Sequence, residues 1–405
     1  MRDNFIESIR SRSLKPPILK GKRIIIVQPS LGMGGSERQG LMLALYLKQE
    51  IGMEVEFWGF NFVGQIAQLC ERYGIPWKVI SINPRRKNFD MIRNLVKMAL
   101  LLRRAHPDVI LPYTALPNIL CNLVWRLTGA QLCIWNQRDA GISLCGGISQ
   151  RLSVRMASLF VCNSEHLRGF LFRALNVDQK CICLIPNGVE PCPSETDRAA
   201  WRRQLGVDDN CFLACMLANL SIRKDHATLL KAWRLVLDQL HKMNRQAVLL
   251  LAGMDQGTKK MLKALAFDLG LGGNIRFLGT VKDIYGLFSA SNIGVFSLKS
   301  EGCSNGVLEC MASGLPVVAT DIPGIREIMG PKNYFLLSQP ENAKNFAEQI
   351  LKLASDPCLC NRLGSINRER IAIRFSAQDM YDKMTDLISQ KLIPKAGAGR
   401  EKWVH

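Results

Sequence analysis

Short apolar runs rich in β-branched residues recur along the chain. Each is followed by a stretch with helical spacing, and the series starts twice. The first series holds Arg23–Val27, Glu54–Trp58, Val109–Leu111, Leu132–Trp135 and Leu159–Cys162. The second holds Phe212–Met216, Ala247–Ala252, Ile275–Leu278, Ile293–Phe296 and Pro316–Ala319, with a helical pattern at Ala227–Leu240 after the first of them. Strands alternating with helices predict parallel sheets covered on both faces. The turn-rich Ile185-Pro186-Asn187-Gly188 separates the two series. The expected fold class is therefore α/β, with two Rossmann-like parallel-sheet domains facing each other across a cleft. Residues 20–188 are expected to form the first and residues 189–376 the second. A final helix at 377–393 is expected to pack back on the first domain, with flexible tails at 1–19 and 394–405.

Composition narrows the partners rather than the fold. Hydrophobic residues at 48% and charged residues at 21% exclude wholesale disorder. Lys and Arg number 53 against 34 Asp and Glu, a net charge of +19, and residues 1–190 hold 25 basic and 13 acidic residues, or +12. Such a field favours anionic partners: nucleic acid, acidic lipid headgroups or phosphorylated small molecules. Basic rows at Arg85-Arg86-Lys87 and Arg103-Arg104 suggest an anionic membrane surface, although such rows are commonly solvated helix faces. A nucleic-acid-binding protein is the distant reading, because no zinc finger, RNA-binding motif or aromatic-interleaved basic patch is present.

Fourteen cysteines lie scattered in apolar surroundings without a C-x-x-C. They read as reduced thiols packed as small hydrophobes, which fits a cytoplasmic location. Five histidines argue against a multi-His metal centre, and no metal is expected. The first residues lack the apolar core of a signal peptide. The uncharged run Val109–Trp125 is too short and too polar for a span. The expected place is the cytoplasm, or the cytoplasmic face of a membrane as a peripheral protein.

The most informative segment runs from Ser300 to Val318: Ser-Glu-Gly-Cys-Ser-Asn-Gly-Val-Leu-Glu, then Cys-Met-Ala-Ser-Gly-Leu-Pro-Val-Val. It reads as a strand end, a loop of small residues, a helix, and a Gly-Leu-Pro stop into another strand. Ser304 stands at an N-cap position, and small residues at 302–306 leave backbone N–H groups open to an anion at the helix start. Open α/β sheets bind ligands at that carboxyl edge. Glu301 precedes the helix and Glu309 lies about one turn into it. Carboxylates beside a phosphate site suit sugar hydroxyls.

This segment resembles the retaining nucleotide-sugar glycosyltransferases of family 4, which have the GT-B fold: Glu, seven residues, Glu, then small residues and Gly-Leu-Pro-Val-Val. The resemblance implies that Glu309 holds the donor ribose and that Glu301 faces the donor sugar. It also places the backbone of Ser304, Asn305 and Gly306 near the diphosphate. Three further stretches are similar. Gly34-Gly35-Ser36-Glu37-Arg38 resembles the family's N-terminal glycine-rich loop, and Ile185-Pro186-Asn187-Gly188-Val189 its interdomain boundary. Gly279 and Asp283 match its approach to the donor site.

The cations for the leaving diphosphate are expected after the first strand of the second domain, in Ala218–His226. Lys224 is kept there, but Asn219 stands where the family commonly has Arg. Asn supplies no charge. Arg223 replaces that cation if its side chain points into the cleft. On the acceptor side, Arg138 and Asp139 follow an apolar strand, where the family often places a polar residue close to the reacting carbon; an adjacent loop ion pair is the plainer reading. His226 and Glu327 are weaker candidates, the latter chiefly structural.

The expected activity is transfer of a sugar, with retention, from a nucleoside diphosphate donor to a hydroxyl acceptor in polysaccharide, glycolipid or other surface-glycan synthesis. The acceptor is a candidate for lipid linkage. The resemblance supplies retention and metal independence, and no cofactor beyond the donor is expected. Lys224, Arg223 and the helix starts near Gly35 and Asn305 stabilise the leaving diphosphate in this scheme, and domain closure excludes water. A nucleotide-sugar epimerase or a sugar phosphorylase of the same fold is the alternative.

Overall fold

The computed structural model describes residues 17–82, 88–139 and 146–392. Most of the leader, the tail from residue 393, Arg85-Arg86-Lys87 and the loop after Asp139 lie outside the described residues, as do the expectations attached to them. The chain divides into two compact units, the first made mainly of residues 9–185 and 380 onward, the second mainly of 186–379.

In the first unit seven strands form one parallel sheet: β1 (Arg23–Gln28), β2 (Glu54–Phe60), β3 (Trp77–Ile80), β4 (Val109–Pro112), β5 (Leu132–Gln137), β6 (Leu159–Cys162) and β7 (Ile182–Leu184). Their order is β3-β2-β1-β4-β5-β6-β7. In the second unit β8 (Phe212–Leu217), β9 (Ala247–Ala252), β10 (Ile275–Gly279), β11 (Ile293–Phe296), β12 (Val317–Thr320) and β13 (Leu337–Ser338) pair in the order β10-β9-β8-β11-β12-β13, again all parallel. The continuous apolar runs follow from cover on both faces. Every residue of β9 is buried, and the helix His226–Lys242 lays Leu229, Leu230, Trp233 and Leu237 into the same core.

The direction of strand order reverses between β1 and β4 in one sheet and between β8 and β11 in the other. Such switch points open crevices at the carboxyl ends of the strands. The strands absent from the sequence expectation, β3, β7 and β13, are all sheet edges. The last helix spans Ala377–Leu392. Within the first unit, Tyr381 of that helix stacks on Tyr46 with centroids 4.6 Å apart, and the Tyr46 hydroxyl meets Asp382 Oδ1 at 3.2 Å.

Candidate active site

In the second unit the switch point lies between the segment after β8 and the segment after β11. These segments are laced together by their own hydrogen bonds. Lys299 N–H donates to the Arg223 carbonyl at 3.0 Å, and Ser297 Oγ to the Asp225 carbonyl at 2.9 Å. Thr320 Oγ1, at the end of β12, accepts from Leu298 N–H at 3.0 Å. The lacing brings one charged side chain from each segment into contact: Lys224 Nζ pairs with Glu301 Oε2, each side chain 23% exposed. Asp225 turns the chain into the following helix with φ 47°, a left-handed conformation that Asp tolerates better than most residues. Burial lifts its carboxyl above the usual range.

The helix Asn305–Ala312 begins beside this pair. Gly306 lies against the end of β8, where an added Cβ would sit 2.3 Å from the Leu217 carbonyl oxygen. Packing therefore demands glycine at the helix start. Ser304 holds the N-cap position, but its side chain makes no capping hydrogen bond, a correction to the expected cap. The loop is fastened instead by Asn187, which is 5% exposed and donates from Nδ2 to the Cys303 carbonyl at 3.0 Å and to Asn305 Oδ1 at 2.8 Å. Glu309, one turn on, is 2% exposed.

Asn219 and Arg223 differ in kind. The Asn219 side-chain carbonyl accepts from Met254 N–H at 3.1 Å and ties the segment after β8 to that after β9. It does structural work where the family resemblance implies a cation. Arg223 is exposed, and among the described residues no partner engages its guanidinium. Among the described residues it makes no ion pair with Glu301. Asp283, read from the sequence as an approach to the donor site, is spent inside the fold. It caps the helix Ile284–Ala290 through Gly286 N–H at 2.9 Å, and accepts from Trp201 Nε1 at 2.8 Å and Thr196 N–H at 3.2 Å.

In the first unit the glycine-rich loop leads into the helix Gly35–Tyr46, with Gly34 at its N-cap position. Glu37 folds back over that start: a Cβ on Gly34 would lie 2.2 Å from Glu37 Oε2. Its carboxylate accepts from Ser36 Oγ at 2.8 Å and Ser30 Oγ at 3.4 Å. Burial raises its pKa against these hydrogen bonds. The helix start near Gly35 thus carries a side-chain carboxylate of its own.

At the carboxyl ends of β4 and β5, Arg138 lies over the Tyr113 ring, 5.1 Å from its centroid, and is 9% exposed. Burial holds the Tyr113 hydroxyl above its ordinary pKa, with Arg138 opposing. Asp139 is drawn to Gln137, whose Nε2 donates to the Asp139 carbonyl at 2.6 Å. Thr114, the residue after Tyr113, has φ 67° and ψ 180°, a strained conformation of the kind that gathers at functional sites. Tyr113 and Thr114 were not singled out in the sequence. Their position, directly after the strand that flanks the switch, is the feature that marks them.

The family model "Glycosyl transferases group 1" matches residues 197–370, which cover the sheet of the second unit and all of Lys224, Glu301 and Glu309. Over these residues the chain is similar to group 1 glycosyltransferases, and its two parallel-sheet units have the GT-B fold. Solved structures agree on the fold: HepE of Anabaena, solved in complex with UDP and glucose, aligns with TM-score 0.77 over 91% of this chain and 100% of that one, at 20% identity. Curated relatives include the lipopolysaccharide core biosynthesis glycosyltransferase LpsE of Rhizobium meliloti, 28% identical over 76% of this chain and 83% of LpsE. The Escherichia coli UDP-Gal:alpha-D-GlcNAc-diphosphoundecaprenol alpha-1,3-galactosyltransferase is 21% identical over the same shares. The glycosyltransferase EpsD of Bacillus subtilis is 30% identical, but that match spans only half of EpsD and 48% of this chain.

Proposed function

We propose that this glycosyltransferase moves a sugar, with retention, from a uridine diphosphate donor to a hydroxyl of a lipid-linked saccharide during surface-glycan synthesis. The observation that carries this reading is the Lys224–Glu301 pair, set at the switch point beside a helix start, with Glu309 one turn below. The names of the relatives support the donor and the acceptor class: HepE was solved with UDP-glucose, and the Escherichia coli relative acts on a diphosphoundecaprenol-linked sugar.

In this mechanism Lys224 and the N–H groups at the start of Asn305–Ala312 take up the charge that develops on the leaving diphosphate. Fixed donors of that kind lower a barrier without reorganising. Glu309 accepts from the ribose hydroxyls and Glu301 from a hydroxyl of the transferred sugar. As the bond from the anomeric carbon to the diphosphate oxygen breaks, a phosphate oxygen receives the proton of the acceptor hydroxyl, which bonds to the same face of that carbon. Lysine and backbone dipoles supply the positive charge, so the step runs without a metal and needs no cofactor beyond the donor. Ser304 and Gly306 contribute backbone to the diphosphate site. In the first unit, Gly34 and Gly35 shape the glycine-rich loop, and Arg138 and Asp139 orient the acceptor. Arg223 adds long-range attraction for the donor rather than a direct contact.

A thermal-shift series over nucleoside diphosphates tests the donor site. A ligand at a hundred times its Kd stabilises by about 2.7 kcal/mol. UDP is expected to raise Tm most, and the anomeric configuration of the product, read by NMR, reports retention. Absence of a shift with every nucleoside diphosphate would overturn the reading.

A further inference from the structure

The helix Asn88–Ala105 of the first unit has an outer face that the described residues leave exposed. Its inner face is anchored by Met98 and Leu102, both 0% exposed, which pack with Leu120, Cys121 and Val124 of the neighbouring helix. On the outside, Ile92, Val96 and Leu100 are 61%, 54% and 51% exposed. Their spacing of four residues sets them in one ridge about 12 Å long. Exposed apolar residues are ordinary singly, but a contiguous ridge of them marks a contact surface.

The charges beside the ridge are of one sign. Arg93 and Lys97 are exposed next to Ile92 and Val96, and Arg103 and Arg104 are exposed beyond Leu100. The helix has a single acid, Asp90, in its first turn. An apolar ridge bordered by cations suits the headgroup boundary of an anionic bilayer. There the apolar side chains enter the acyl region while the long basic side chains reach back to the phosphates. Among the described residues no helix is long and apolar enough to cross a membrane, so contact through this helix is in the plane of the surface.

We infer that the outer face of Asn88–Ala105, built on Ile92, Val96 and Leu100 with Arg93, Arg103 and Arg104, is a docking surface for an anionic lipid bilayer. This gives the lipid-linked acceptor reading a physical surface, yet it rests on the helix and not on the transfer chemistry.

Co-sedimentation of the full chain with vesicles tests it. Wild type is expected to partition onto phosphatidylcholine vesicles containing phosphatidylglycerol, and at least tenfold less onto phosphatidylcholine alone. The variant Ile92→Ser, Val96→Ser, Leu100→Ser is expected to lose at least tenfold in partition with its circular dichroism unchanged. Arg93→Glu, Arg103→Glu, Arg104→Glu is expected to lose binding and its salt dependence. Lys224→Ala is expected to bind vesicles like wild type, which separates this surface from the active-site reading. Equal partition of the serine variant and wild type overturns the inference. So does sedimentation velocity that shows a dimer of the wild type dissolved by the serine substitutions, because the ridge then meets a second copy of the chain.

Discussion

Asn187 reaches across the second unit to hold Asn305, donating from Nδ2 to its side-chain oxygen at 2.8 Å while also bonding the Cys303 carbonyl at 3.0 Å. Two motifs more than a hundred residues apart in the chain thus form one fastening at the start of the helix that carries Glu309. The bond to Cys303 is buried and the bond to Asn305 partly buried, so removing their shared donor costs about 1–3 kcal/mol. Asn187→Ala is expected to lower unfolding stability by that order in a urea titration and to weaken UDP binding several-fold by calorimetry. A variant that loses stability yet binds UDP like wild type would limit Asn187 to a structural role.

Glu301 is the ion-pair partner of Lys224, and in the proposed mechanism a donor diphosphate competes for the same ammonium. The pair is partly exposed, and such pairs contribute at most about 1 kcal/mol to stability. Lys224→Ala is therefore expected to leave Tm almost unchanged, while transfer falls roughly a hundredfold or more, the usual effect of removing one charge-stabilising donor. Glu301→Gln is expected to bind free UDP at least as tightly as wild type but to lose the gain that the sugar brings. If Glu301→Gln weakens UDP and the UDP-sugar equally, the competition for Lys224 is refuted.

Gly306 and Glu309 share a helix but should fail differently. A methyl at Gly306 runs into the Leu217 carbonyl at 2.3 Å, so Gly306→Ala must shift the helix and is expected to lower both stability and transfer. Overpacking of this kind typically costs about 1–3 kcal/mol. Glu309→Ala keeps the helix and removes the proposed ribose contact. It is expected to abolish most transfer while the denaturation curve stays cooperative. Full turnover in Glu309→Ala would remove Glu309 from the donor site.

The interior strands were legible because burial on both faces writes them as continuous apolar runs; β9 spans the expected Ala247–Ala252. Edges were not. In β3 the run Trp-Lys-Val-Ile is half exposed and mixed, and β13 is two residues long. At the site, the motif residues and the family resemblance they carry singled out Glu301, Glu309 and Lys224, because motif chemistry is local. What it could not supply was which polar groups fold inward. Asn219 was legible as an absent cation but not as the partner of Met254, since that bond depends on how the loops after β8 and β9 meet. Asp283 likewise turned out to be a cap and a brace for Trp201. Tyr113 gains meaning only when Arg138, from another strand, lies over its ring.

His226 gives the second unit a pH dependence of known sign. It opens the helix His226–Lys242, is 1% exposed, and neither ring nitrogen makes a well-formed hydrogen bond. Burial, with Lys224 adding to it, lowers its pKa from 6.5 to about 4, although the Ala218 carbonyl opposes the shift. Between those values the unfolded chain binds a proton that the folded chain does not, so stability falls as pH drops from 6.5 toward 4. At about 1.4 kcal/mol per pKa unit the loss approaches roughly 3 kcal/mol at the acid end. His226→Phe keeps an aromatic ring in the core and removes the titration. Urea titrations across this range are expected to show a shallower acid loss for His226→Phe than for wild type, with the two curves nearest in slope above pH 6.5. Curves that run parallel through the whole window would show that another group carries the acid sensitivity.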